Sequence, residues 1–290
     1  MRALWTLYML AISGSLGAQP PATDIFLVSL RIQGERISLG NARNVTKWSG
    51  YDNQPFWSAD GSAIYFTSVR EGNQADIYRY RIADGALDRI TATAPESEYS
   101  PSVIEQGRAI SVVRVERDST QRLWRFPLDG GEPAPMLERI ERVGYYTWLD
   151  DSLAALFCLG SPNALVLASA NRADTVARSI GRGLQKIPGR GTLSYVHKVS
   201  TSDWWLVEFD VERREGRRLV RLPSGVEDYA WLPDGRALAG QGSTLLMWVP
   251  GSDRWVVVHD FAADGLSGIT RLAVSPRGDY LAVVAVPGER

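Results

Sequence analysis

Histidine is nearly missing from this chain, with two residues in 290, and cysteine is reduced to one, Cys158. Two histidines cannot build a multi-histidine metal centre, and they make a Ser-His-Asp triad hard to assemble. His197 and His259 each fall at the end of an expected strand, where an exposed or locally bonded imidazole is the ordinary case. A single cysteine excludes an intramolecular disulfide, so the fold must be held by its own core. Cys158 lies in the apolar run LAALFCL and reads as a small buried hydrophobe rather than a nucleophile. An excess of one charge is lacking as well: 32 Lys and Arg face 33 Asp and Glu, a net charge of -1. The basic residues are spread rather than bunched, which argues against a nucleic-acid partner. The sequence also has no G-x-S-x-G elbow, no H-E-x-x-H pair and no phosphate-binding G-x-x-x-x-G-K-S/T loop.

Long apolar runs are confined to the start. Residues 1–18 open with Arg2, continue through LWTLYMLAI and end in the small residues SGSLGA. A positive start, an apolar run too short to span a bilayer comfortably and a small-residue end read as a cleavable secretory signal. Gln19, rather than a lipid-accepting Cys, follows, and residues 19–23 form a short QPPAT tail. Export without disulfides points to a bacterial periplasm or exterior, with no transmembrane segment left after cleavage.

What the chain does have is a recurring stretch. Residues 55–68 read PFWSADGSAIYFTS, two apolar runs around an Asp-Gly turn signal for an antiparallel hairpin. Counting from Gly61, equivalent turns fall at Gly107, Ser152, Gly191, Gly235 and Gly278, at intervals of 46, 45, 39, 44 and 43 residues. A period of that size is the signature of propeller blades of four strands each. Four residues before the turns stand Trp57, Val103, Trp148, Ile187, Trp231 and Val274, one apolar column on one strand face. Their equal spacing assigns Trp57, Trp148 and Trp231 to packing between blades.

Five outer strand pairs follow the inner ones, and the sixth is missing from the C-terminal end. It is available at the other end, where DIFLVSL at 24–30 matches DIYRYRI at 76–82 as a third strand. The expected fold is therefore all-β: a single six-bladed β-propeller over residues 24–290, its ring closed by N-terminal strands pairing with the C-terminal ones. Such closure removes exposed sheet edges.

PFWSADGSAIYFTS followed by DIYRYRIADGALDRIT resembles the TolB-type, WD40-like propeller repeat of exported bacterial proteins. The resemblance covers essentially the whole mature chain, strongest at 51–92 and weakest at 181–223. It implies an envelope protein of propeller fold, without the α/β domain that precedes the propeller in the Tol-Pal system.

Seven residues ahead of the turns come Gln54, Ser100, Tyr145, Leu184, Asp228 and Arg271, a mostly polar column on the way into each inner strand. Asp52, Asn53, Glu98, Tyr99 and Glu227 flank it. Inner strands of all blades begin at one face, so these residues are expected to ring the central opening. The first functional expectation is a non-catalytic scaffold without cofactor, binding a protein or peptide of the cell envelope there. Asp52, Asn53, Gln54, Glu98, Tyr99, Tyr145, Asp228 and Arg271 are its contact candidates. Arg70, Glu71, Arg114, Glu116 and Arg117 in the neighbouring loops add charge, and Tyr99 and Tyr145 supply aromatic anchors. The alternative is a calcium-dependent lactone or phosphoester hydrolase in which Asn53, Glu98 and Asp228, from different blades, offer oxygen ligands to the ion.

Overall fold

The computed structural model describes residues 21–288. The expected signal, residues 1–18, lies outside them. Six antiparallel sheets make up the ring, and five of them follow chain order from inside outward. Blade 1 comprises Tyr51–Trp57, Ala63–Glu71, Gln74–Arg81 and Leu87–Arg89. Blade 2 comprises Ser97–Ile104, Ala109–Val115, Gln121–Pro127 and Ala134–Met136. Blade 3 comprises Val143–Trp148, Ala154–Cys158, Ala164–Ser169 and Arg172–Arg178. Blade 4 comprises Ile180–Lys186, Thr192–Lys198, Trp204–Asp210 and Glu215–Arg221. Blade 5 comprises Tyr229–Trp231, Ala237–Gln241, Thr244–Trp248 and Trp255–Asp260.

Blade 6 is the seam. Its inner strands, Leu266–Val274 and Tyr280–Pro287, come from the C-terminal end, and its outer strands, Asp24–Gln33 and Arg36–Leu39, from the N-terminal end. Asp24 pairs with Ala285 and the antiparallel register runs on to Ser29 opposite Tyr280. Alternation along this strand feeds two cores. Ile25 and Leu27 pack with Trp57, Ile64 and Phe66 of blade 1. Phe26, Val28 and Leu30 pack with Leu238, Leu245 and Met247 of blade 5. A strand apolar on both faces, DIFLVSL, is what a position between two blades requires.

The repeat is legible in hydrogen bonds as well as spacing. In blade 6 the amide of Ile25 donates to Thr46 Oγ1 at 3.0 Å, and in blade 1 the amide of Ile77 donates to Thr91 Oγ1 at 2.9 Å. Both bonds tie the Asp-Ile pair of a third strand to a threonine after the fourth strand. The hairpin turns between first and second strands place Gly61, Gly235 and Gly278 at φ of 73°, 86° and 71°, a left-handed backbone glycine adopts without strain. The 149–153 turn has no such glycine; there the Asp150 carboxylate accepts from the amides of Ser152 and Leu153. In blade 4 the left-handed residue is Gly189, two positions before the expected Gly191.

The tryptophan column packs between blades as expected. Trp57 donates its indole N–H to the Ala273 carbonyl of blade 6 at 3.0 Å. Trp148 donates to Ser111 of blade 2 at 2.9 Å, and Trp231 to Ser194 of blade 4 at 2.8 Å. No helix among the described residues is long and apolar enough to cross a membrane.

Candidate functional site

The inner strand of nearly every blade is interrupted near its start. In blades 1 and 2 one extra residue is accommodated, between Asn53 and Phe56 and between Tyr99 and Ser102. Blade 3 shows the same between Val143 and Tyr145, and in blades 4 and 6 the gap widens, between Ile180 and Leu184 and between Ser267 and Arg271. Bulges re-aim side chains out of the regular alternation, and here they turn them toward the ring axis. Gln54 and Ser100, inside two of the bulges, sit at φ of 57° and 52°, a region most residues avoid.

One side chain from each blade meets at this end of the axis: Tyr51, Tyr99, Tyr145, Arg182, Asp228 and Arg271. Asp228 is the hub. Its carboxylate accepts from Arg182 Nε at 2.7 Å and from Arg271 Nη1 at 3.1 Å, and Arg182 Nη2 also contacts it. Arg271 lies over the ring of Tyr145, 4.8 Å from its centroid, so blades 6 and 3 touch across the axis. The Tyr51 hydroxyl feels the charges of Arg271, Tyr145, Tyr99 and Arg182, and burial pushes its pKa up. Burial alone would lower the Arg182 guanidinium; Asp228, with Tyr145 and Glu227, outweighs it and raises the group.

Two cavities share this cluster. A channel of about 420 Å³ runs along the inner strands from Gln54, Ser100, Tyr145, Arg182, Asp228 and Arg271 to Phe56, Trp148, Lys186 and Pro276 at the turn end. A recess of about 110 Å³ on the loop side is lined by Val226, Glu227 and Ile269 together with Arg182, Asp228 and Arg271. The three charged residues common to both form the partition between them. The opening expected at the starts of the inner strands is therefore crossed by the Arg271–Tyr145 contact and the Asp228 ion pairs, and the channel lining extends from there toward the hairpin turns. Its charged lining is Arg182, Lys186 and Arg271 against Asp228, which makes it net positive in a chain of net charge -1.

Of the candidates read from the sequence, Gln54, Tyr145, Asp228 and Arg271 line the channel. Tyr99 lies at the crossed end, half-buried, with burial raising its phenol. Asp52, Asn53 and Glu98 require correction, since they are buried in the blades rather than displayed on a rim. Pleating sends successive residues to opposite sides: Asp52 and Glu98 face arginines of their second strands, and Asn53, on the other side from Asp52, is held by Thr23. Asp52 faces Arg70 Nη2 at 3.5 Å, and burial raises its pKa to about 6. Asn53 donates to Thr23 Oγ1 at 3.4 Å and accepts from the Gln54 amide at 2.8 Å. Glu98 accepts from Thr93 Oγ1 and faces Arg114 Nε at 3.4 Å, and burial raises it to about 7.

Arg70 and Arg114, expected as loop contacts, are folded back over aromatic rings. Arg70 lies 4.9 Å from the Trp48 ring and 4.8 Å from that of Tyr78, and Arg114 lies 4.5 Å from that of Trp124. The calcium alternative fares no better in geometry. Asn53, Glu98 and Asp228 are each engaged with other partners, and Asp228 would have to leave two guanidiniums to take a cation. Among the described residues no group of three or more His, Cys, Asp or Glu side chains is gathered as a metal site.

Arg182 was not legible from turn spacing, because the wider blade 4 bulge moves the axial side chain from the expected Leu184 to a residue two positions earlier. A signal existed in the Gly-Arg-Gly triplet at 181–183. A Cβ on Gly181 would stand 2.7 Å from Glu227 Oε1, and one on Gly183 would stand 2.5 Å from the Glu227 carbonyl oxygen. Both glycines let blade 5 approach closely enough for Arg182 to reach Asp228. Tyr51 likewise precedes the column that turn spacing singles out.

No family model matches the chain, and no curated protein matches it. Solved structures are similar in fold. An oligogalacturonate lyase in complex with manganese has a TM-score of 0.57 at 16% identity, covering 86% of this chain and 80% of that one. TolB from Acinetobacter baumannii has a TM-score of 0.58 at 15% identity, covering 92% of this chain; the present chain spans 65% of that protein's length. The putative TolB from Agrobacterium tumefaciens gives a TM-score of 0.66 at 13% identity, covering 92% of this chain and 100% of that one. Propellers of this shape thus include an enzyme as well as TolB proteins, and fold alone does not choose between them. What ring and register establish together is that this chain carries a six-bladed β-propeller, similar in fold to the TolB structures.

Proposed function

We propose that the protein is a non-catalytic, exported propeller that binds a protein or peptide of the bacterial envelope in its central channel, from the face bearing the hairpin turns. The observation that carries this reading is the channel itself, about 420 Å³ with walls of Pro55, Pro101, Leu184, Leu272 and Val274 and a net positive charged lining. Apolar walls with a few convergent polar groups are the usual make-up of a binding site. General acid-base chemistry needs a group free to exchange a proton, and the channel's one carboxylate, Asp228, is held by two guanidiniums. Net positive charge favours an acidic partner over a hard cation. Export rests on the N-terminal pattern and on the resemblance of the repeats.

The experiment places a photo-crosslinking residue at Phe56, 37% exposed at the turn end, and another at Glu132 on the ring exterior. Cross-linking in cells to a discrete envelope protein from position 56 but not from 132 supports the reading. Equal labelling from both positions, or turnover of a lactone or phosphoester by the purified protein, overturns it.

A further inference from the structure

Side chains cross the channel at one end, which restricts what can occupy it. Arg182, Asp228 and Arg271 line both it and the recess behind it, and Arg271 crosses the axis to Tyr145. A continuous polypeptide cannot thread such a channel; an end can enter it. Its floor carries two guanidiniums on one carboxylate, with Glu227 behind Arg182 paired to Lys198 at 2.9 Å, so the five-residue cluster keeps an excess of one positive charge. Arg271 reaches Asp228 through Nη1, while among the described residues its Nε and Nη2 donate to no protein acceptor. A guanidinium presents five donors in a planar fork suited to carboxylate. Above the floor, the buried Ser100 hydroxyl has no hydrogen-bond partner, an uncommon state for a buried polar group. Lys186 adds a cation toward the open end, beside Phe56 and Pro276.

Resting on the channel-binding reading above, we infer that the site takes the free C-terminal end of a peptide, its α-carboxylate set on Arg271 and Arg182 and its last side chains against the proline and aliphatic walls. A chain terminus supplies the anion together with a narrow extended backbone, the shape a channel crossed at one end accepts. Carboxylate capture at the floor fixes register. Asp228 holds both guanidiniums apart and aimed in the absence of ligand, which lowers the ordering cost of binding.

The test uses the full chain with randomised fluorescent hexapeptides, synthesised once with a free C-terminus and once amidated, and with trigalacturonate as a carboxylated competitor that is not a peptide. The expected result is retention of free-acid peptides and at least a roughly tenfold loss on amidation, about 1.4 kcal/mol. Arg271→Gln is expected to give a similar loss for free-acid peptides and none for amidated ones, with Arg271→Lys recovering part of it. Thermal melts show whether the fold is kept, and Lys186→Gln, which also gives up a bond to the Leu149 carbonyl at 2.7 Å, gives a second reading of charge dependence. Equal retention of free and amidated peptides overturns the chain-end inference and leaves channel binding standing. Retention of neither overturns both, and displacement by trigalacturonate of a ligand that amidation does not weaken points to acidic sugars instead.

Discussion

The indole N–H of Trp231, in blade 5, donates to the hydroxyl of Ser194, in blade 4, at 2.8 Å. The Tyr229 hydroxyl donates to the same oxygen at 2.8 Å, and the Ser194 hydroxyl itself donates to the Gln185 carbonyl at 3.1 Å. One fully buried serine thus satisfies two large aromatic residues of the next blade. Blades 2 and 3 repeat the device, with Tyr146 and Trp148 on Ser111. Ser194→Ala leaves two buried donors unpaired and is expected to cost about 2–4 kcal/mol. Urea denaturation of the variant beside Ser111→Ala measures it, and a loss under about 0.5 kcal/mol would show that the serines are incidental to blade packing.

Closure of the ring makes the strand segment 24–30 part of the core. Ile25→Ala empties a fully buried site between blades 6 and 1 and is expected to cost about 2–5 kcal/mol. A chain starting at residue 47 exposes the edge of the strand Tyr280–Pro287 and is expected to lose its single cooperative transition. Circular dichroism melts of the two variants report both outcomes; an unchanged melt for the shortened chain would break the seam.

Glu98 and Asp52 give stability a pH dependence opposite to that of paired surface carboxylates. Burial raises Glu98 from 4.5 to about 7 and Asp52 from 3.8 to about 6. The folded state therefore holds each proton more tightly than the unfolded state does. Their contribution is fully present below about pH 4, declines from there, and is lost as pH rises through 6 for Asp52 and 7 for Glu98. Between about pH 5 and 8 the Glu98 part amounts to roughly 1–3 kcal/mol. Glu98→Gln is expected to flatten that slope, since Arg114 keeps Glu96 as a partner at 3.5 Å. Urea midpoints across the range check it; an equal slope in wild type and variant refutes the assignment.

Gly183→Ala tests the route by which Arg182 reaches Asp228. Its Cβ would meet the Glu227 carbonyl oxygen at 2.5 Å, a backbone atom that yields only by moving the start of blade 5. The expected cost is about 1–3 kcal/mol. Because the ion pair opens, the expected signature beyond stability is weaker free-acid peptide retention. A destabilised variant that retains the peptide unchanged would separate close packing from the channel floor.

The architecture was written in local chemistry. Turn residues at a near-constant interval, an apolar column four residues ahead of them and a two-faced strand at the N-terminal end each act within a few residues, and together they determined six blades and the seam. The placement of polar side chains around the axis depended on bulges, which shift alternation by one or more residues and leave no fixed spacing behind them. Asp52, Asn53 and Glu98 consequently went inward to the blades, while Tyr51 and Arg182 went to the axis. Which end of the channel is crossed was decided by tertiary structure alone, because the partition is an ion pair among residues 182, 228 and 271 of three different blades. Sequence supplies those charges; only the closed ring brings them within hydrogen-bond reach.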